Sequence, residues 1–187
     1  MPISLGCIAD DFTGATDLAN MLVKGGLKTI QLLGTPSKND VVPSVDAVII
    51  ALKTRTIPVE DAIEQSLQAM NWLKNAGAKQ FFFKYCSTFD STDEGNIGPV
   101  IDALMAGLET QFTIACPAFP ETERTIFKGH LFVGDKLLSE SPMKDHPLTP
   151  MTDSNLVSTL SRQTSQKVGL VEYKNISGGP SEIRKAF

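Results

Sequence analysis

The sequence predicts an α/β domain, a mainly parallel sheet flanked by helices in Rossmann-like layers. Three observations carry that expectation. Apolar runs of five or six residues recur along the chain, continuous rather than alternating, as in strands covered on both faces. Longer stretches place apolar residues at i, i+3, i+4 and i+7, the spacing of one helix face. The two kinds of segment take turns, the order that builds a parallel sheet with helical crossovers.

The first run is Leu5-Gly6-Cys7-Ile8-Ala9, which ends at Asp10-Asp11. A helix follows from near Thr13, with Ala15, Leu18, Ala19, Leu22 and Val23 on its apolar face and Gly25-Gly26 closing it. Thr29–Leu33 and 47–52 are the next two strands, the latter rich in β-branched residues. Pro58 suits the first turn of a second helix, whose face is Val59, Ala62, Ile63, Leu67, Met70 and Leu73. Residues 80–85 read as a strand, and Ile97, Val100, Ile101, Leu104, Met105 and Leu108 as a third helical stripe. Residues 112–116 read as a fifth strand.

After Pro117 the pattern changes. Residues 117–153 hold five prolines, and 124–133 suggest two short strands around Gly129. A stretch of this length is more often a functional excursion than filler. The rhythm resumes with a helix near 155–164, a strand at 167–171, and a last helix opened by Gly178-Gly179-Pro180.

At 187 residues, 42% hydrophobic and 20% charged, the composition excludes collagen, coiled coil and disorder. The length fits about one domain at roughly 150 residues each. A net charge of −4 and the lack of any clustered cations argue against nucleic acid as a partner. No apolar window approaches the roughly 18 residues of a membrane span, and the first residues do not show a basic stretch followed by a long apolar one. A cytoplasmic protein is expected. Cys7, Cys86 and Cys116 lie in or beside apolar runs with no CxxC spacing, so buried reduced thiols are expected. His130 and His146 have no metal-ligand spacing, and no metal site is expected.

In parallel α/β sheets, ligands bind beyond the carboxyl ends of the strands. Those ends carry Asp10, Asp11, Thr13 and Gly14; then Arg55; then Lys84, Ser87, Thr88, Asp90, Ser91 and Asn96; then Arg124. Carboxylates, hydroxyls, an amide and isolated cations, with no aromatic platform, suit a small polyhydroxylated anion. Plainer roles exist beside these. Asp11 is well placed to cap the first helix, and residues 87–92 are rich enough in Ser and Thr to form turns of their own.

Familiar phosphate chemistries do not match. There is no GxxxxGK[ST] loop, no GxGxxG after the first strand and no GxSxG elbow. The D-x-D motif of haloacid-dehalogenase phosphatases fails because residue 12 is Phe. A receiver domain would need an Asp where Lys53 stands.

IADDFTGATDLANML (8–22), LKTRT (52–56), FKYCSTFDSTDEGNIGPV (83–100) and TIFKGHLFVGDKLLSESPMKDHPLTPM (125–151) together resemble the four-carbon acid sugar kinases, and more narrowly the 3-oxo-tetronate kinases. The resemblance runs through the whole chain in order. It implies an ATP-dependent kinase that phosphorylates the terminal hydroxyl of a four-carbon sugar acid. It further implies that 1–187 is the amino-terminal sugar-acid-binding domain of a chain about twice as long, with ATP and Mg²⁺ held mainly by a carboxyl-terminal domain. On that reading Asp10, Asp11 or Asp90 supplies the base, Asp11 being favoured. Arg55 and Lys84 hold the substrate carboxylate, a role Arg124 could share, and Ser87, Thr88, Ser91 and Asn96 read its hydroxyls. Two other readings stay open: a stand-alone sugar-acid-binding module without catalysis, and a phosphosugar-processing phosphatase on the same scaffold. Oligomeric state is open. Phe127, Leu131 and Phe132 make the 117–153 excursion a candidate surface for a homodimer.

Overall fold

A computed structural model describes residues 3–37, 40 and 44–187. By internal contacts these fall into two groups: 1–86 with 99–113, and 87–98 with 114–187.

In the first group, β1 (Leu5–Ala9), β2 (Thr29–Leu33), β3 (Ala47–Ala51) and β4 (Gln80–Lys84) form a sheet ordered β2-β3-β1-β4. Every pairing is parallel: Ala9 sits opposite Ala51 on one side and Lys84 on the other. Successive side chains leave a strand on opposite faces, and the sequence uses this to sort sizes. Cys7, Ala9, Ile49 and Ala51 face α1 (Phe12–Lys24), which packs Ala15, Leu18, Ala19 and Leu22 onto them. Ile8, Val48 and Ile50 face the other way, toward Ala62, Met70 and Leu73 of α2 (Val59–Asn75) and Val100 and Leu104 of α3 (Ile97–Gly107). With both faces covered, β3 is wholly buried, which is why its run is continuous.

The second group holds an antiparallel sheet of β5 (Arg124–Phe127), β6 (His130–Val133) and β7 (Lys136–Leu137). Lys128 and Gly129 join β5 to β6 with φ of 51° and 80°. A two-residue hairpin loop with both φ positive matches the strands' twist, and glycine takes such an angle without strain. Three short helices follow: α4 (Leu156–Gln163), α5 (Tyr173–Ser177) and α6 (Pro180–Ala186). Asn155 caps α4 by accepting from Ser158 N–H.

The parallel α/β architecture agrees with the expectation, as do the strand pair around Gly129 and the helix opened by Gly179-Pro180. Two strands do not form. Residues 112–116 join no ladder and are exposed, with Phe112 52% and Ile114 70% accessible. The chain passes there from the first group to the second, and Pro117, which has no N–H to donate, ends the run. Residues 167–171 likewise join no ladder; Gly169, with open space around it, gives the run nothing to pack. Among the described residues, no helix is long and apolar enough to cross a membrane.

These features sort the thiols. Cys7 is buried, Cys86 half-buried and Cys116 exposed, so the expectation of three buried thiols fails at Cys116. Burial pushes the Cys7 thiol up to about 12, which keeps it protonated and unreactive at ordinary pH. A disulfide reagent such as Ellman's, at pH 8, is expected to label Cys116 in the native chain within minutes and to leave Cys7 unlabelled until denaturant is added. Rapid native labelling of Cys7 would contradict the covered β1.

Candidate functional site

The strand order explains where polar groups gather. The chain goes from β1 to the far edge as β2, steps back to β3 beside β1, then crosses to place β4 on β1's other side. β1 is therefore the switch point, and a crevice is expected beyond its carboxyl end. The next residues are Asp10 and Asp11. The backbone continues the sheet one step further: Asp10 N–H donates to Lys84 O at 3.0 Å and Thr54 N–H to Asp10 O at 3.0 Å.

Asp10 is almost fully buried, 4% accessible. Arg55 grips it with two donors, Nε to Oδ2 at 3.0 Å and Nη2 to Oδ1 at 2.9 Å. This fork-on-fork arrangement is that of a charged pair. Burial pushes the Asp10 carboxyl above the ordinary carboxylate range, opposed by the hydrogen bonds and charge of Arg55. Burial also works against the Arg55 charge, but the hydrogen bond and charge of Asp10 outweigh it and raise the guanidinium above its usual value. Arg55 Nη2 also meets Asp11 Oδ1 at 2.9 Å. Its first duty is thus to hold two carboxylates of the chain itself.

Asp11 caps α1, accepting from Gly14 N–H at 2.8 Å. Asp11 takes the capping role foreseen for it, and its cap and its ion pair with Arg55 both use Oδ1. The Asp11 side chain is 28% accessible against 5% for Asp10. Gly14 leaves room for this cluster: a Cβ there would lie 2.6 Å from Asp11 Oδ1 and 3.3 Å from Lys84 Nζ. Thr13, in the first turn of α1, is exposed. Lys84 Nζ donates to Tyr85 O at 2.7 Å, and its charge also acts on Asp10. Asp10, Asp11, Thr13, Gly14, Arg55 and Lys84 thus come together at one sheet edge.

The remaining candidates lie in the second group. Thr88 donates its hydroxyl to Asp90 Oδ1 at 2.6 Å, and both are buried. Between them Phe89 takes a left-handed backbone, φ 61°, with its side chain 1% accessible. Such strain in a bulky residue persists only where surroundings impose it. Ser91 and Asn96 are buried and Ser87 half-buried. Arg124 opens β5 and turns its guanidinium back onto Thr122 O.

Gln163, at the end of α4, fastens this loop. Its side chain donates to Ser91 Oγ and Thr92 O and accepts from Gly98 N–H. Gly98 is required for that approach, since a Cβ there would stand 2.5 Å from Gln163 Cβ and 2.7 Å from its carbonyl oxygen. Gly98→Ala should therefore cost about 1–3 kcal/mol, the usual penalty of overpacking, measured by urea unfolding. An unchanged midpoint would mean that the two segments do not touch.

Beside this loop is a cavity of about 320 Å³ whose lining includes Ser91, Asp93, Glu94, Asp153, Thr159 and Arg162. Arg162 spans it, with Nε on Asp93 Oδ1 at 2.6 Å, Nη2 on Asp153 Oδ2 at 3.1 Å and Nη1 on Ser158 Oγ at 2.5 Å. The hydrogen bonds it donates to Asp93 and Asp153 raise the Arg162 guanidinium above its usual value. Asp93, Asp153 and Arg162 were not singled out from sequence. Asp93 and Arg162 stand 69 residues apart in the chain, and no local pattern joins them.

The chain's residues 5–187 match the family model described as sugar-binding N-terminal domain. A 3-oxo-tetronate kinase of Burkholderia multivorans is 63% identical over 96% of this chain and 42% of its own length. A solved Haemophilus influenzae protein is 55% identical with a TM-score of 0.94, covering 97% of this chain and 44% of that one. A domain of unknown function from Bordetella bronchiseptica, a domain-swapped dimer with bound citrate, is 30% identical with a TM-score of 0.72 over 84% of this chain and 39% of that one. The chain thus spans less than half the length of these relatives. A match over nearly all of its residues, on the same parallel α/β architecture, shows that the chain belongs to the sugar-binding N-terminal domain family.

Proposed function

We propose that the chain is the substrate-binding part of an ATP-dependent kinase acting on the terminal hydroxyl of a four-carbon sugar acid such as a 3-oxo-tetronate. The observation that supports this most is the polar cluster at the β1 switch point, in a chain 63% identical to a 3-oxo-tetronate kinase. Phosphorylating a hydroxyl requires a group to take its proton. Asp11 suits this better than Asp10, whose two oxygens are both held by Arg55. It also suits it better than Asp90, which is buried against Thr88. Arg55 positions the two carboxylates, and Lys84 supplies positive charge for the anionic end of the substrate. Thr13 and Gly14 form the floor of this edge. Ser87, Thr88, Ser91 and Asn96 are the proposed readers of the hydroxyls, and Arg124 keeps its proposed carboxylate contact.

Among the described residues, no group of three or more His, Cys, Asp or Glu side chains could hold a metal ion by itself. ATP and Mg²⁺ are proposed to be held by the part of the longer relatives outside the matched stretch. The working protein is proposed to be cytoplasmic. The dimeric Bordetella relative supports a homodimer here, which sedimentation would test.

The binding half of the proposal is tested by thermal shift against erythronate, threonate and their 3-oxo forms. A ligand at 100 times its Kd adds about 2.7 kcal/mol of stability, so 100 mM ligand with a millimolar Kd should raise Tm clearly. No shift with any of these acids would count against the proposal.

A further inference from the structure

The cavity beside Arg162 is not accounted for by the strand-edge cluster. Its walls come from three separate stretches: the 91–94 loop, the 150–153 end of the proline-rich excursion, and α4. At about 320 Å³ it lies at the lower end of the roughly 300–1,000 Å³ of small-molecule sites. Two of its hydroxyl residues, Ser91 and Thr159, are only 2% and 3% accessible. The loop that carries Ser91 is held in place by Gln163.

The chemistry of the lining narrows what would fit. Three carboxylates, Asp93, Glu94 and Asp153, stand with one guanidinium, Arg162. A further carboxylate brought in by a ligand would meet net negative charge. A bare metal ion is not matched either, since no cluster of the described residues could hold one. An ammonium group only donates hydrogen bonds and a carboxylate only accepts them, whereas a hydroxyl does both. This lining offers both: carboxylate acceptors on two walls, and Arg162 and hydroxyl donors beside them. Asp153 is further fixed by accepting from Asn155 N–H at 2.8 Å, so its carboxylate is preorganised.

We infer that this cavity is a polyol subsite, which takes adjacent hydroxyl groups of a small sugar-like ligand and not its carboxylate, with Asp153 as the principal acceptor and Arg162 as the group that positions it. The identity of the ligand as a sugar acid rests on the function proposed above; the preference for hydroxyls does not.

Met151 lines the cavity and is 2% accessible, so its methyl group reports on occupancy. In the unaltered chain labelled with ¹³C-methyl methionine, the Met151 signal, assigned with Met151→Leu, is followed while erythritol, erythronate or succinate is added. Erythritol has hydroxyls without a carboxylate, and succinate has carboxylates without hydroxyls. The expected result is a saturable shift with erythritol and erythronate and none with succinate. Asp153→Asn, which can still accept from Asn155 N–H, is expected to weaken erythronate binding at least ~10-fold, as loss of a charge-assisted hydrogen bond does, with Tm little changed. A Met151 signal that ignores both hydroxylated ligands overturns the subsite. So does one that follows succinate equally, or an Asp153→Asn variant that folds and binds as well as the parent. If Asp153→Asn does not fold, the signal in the unaltered chain decides. If erythronate stabilises the chain while Met151 stays still, the subsite falls and the sugar-acid reading stands. If erythritol moves Met151 and no sugar acid binds, the reverse holds.

Discussion

Arg55→Leu should destabilise the chain by about 3 kcal/mol, and the deficit should depend on pH. Asp10 is buried, and Arg55 supplies the charge that offsets the cost of burying it. Removing one partner of a buried pair costs about 3–5 kcal/mol because the other charge is left uncompensated. The lower end applies here because the Arg55 side chain is 20% accessible. In thermal terms that is a fall of roughly 6–12 °C in Tm for a chain of this size. Burial already pushes the Asp10 carboxyl upward, and without Arg55 it goes higher still. A carboxyl raised in the folded state is fully tolerated below its unfolded value of about 3.9. It becomes a growing liability as pH rises through the folded value. The variant should therefore come closest to the parent near pH 4 and fall furthest behind near pH 8. Replacing Asp10 by Leu as well should restore most of the loss, since two apolar groups bury no charge. Urea unfolding at the two pH values measures all of this. An equal deficit at both would mean that Asp10 is not buried as a charge.

In a complete kinase carrying this domain, Asp11→Asn is expected to lower kcat at least ~10²-fold, the low end of what a positioned general base contributes. The choice of Asn separates the two roles of Asp11. Asn caps a helix about as well as Asp, so α1 and its bond from Gly14 should survive and unfolding should change by less than about 1 kcal/mol. What is lost is a carboxylate able to take a proton. Near-normal turnover by a stable Asp11→Asn enzyme would remove Asp11 from the base role and turn attention to Asp90. A rise in KM with kcat unchanged would assign Asp11 to binding instead.

Much of the architecture was legible along the chain. The run of β1 was placed residue for residue, because a strand covered on both faces leaves an unbroken apolar signature bounded by polar residues, and the half-buried edge strand β2 was placed with the same bounds. The face of α1 was legible for a similar reason, since 3.6-residue periodicity is local. Residues 112–116 and 167–171 show where such reading stops. An apolar run becomes a strand only if a partner edge receives its hydrogen bonds, and these two find none. α5 escaped notice because five residues are too few to display a period.

The candidate site divides in the same way. That Asp10, Asp11, Arg55 and Lys84 should meet followed from sheet topology, which places strand ends together. That Arg55 would spend two donors on Asp10 and a contact on Asp11 did not follow, and those contacts are what support its proposed positioning role. Arg162 and Asp93, 69 residues apart, were invisible for want of any local rule.

By itself, then, the sequence determined where β1 to β4 and α1 to α3 lie and which helix faces are apolar, because hydrophobic period acts over a few residues. Only the tertiary structure decided which carboxylates pair with a guanidinium, and that a polar cavity forms beside Arg162. Those outcomes depend on distances of 3 Å or so between groups that the chain holds far apart, over which charge and desolvation act with full strength.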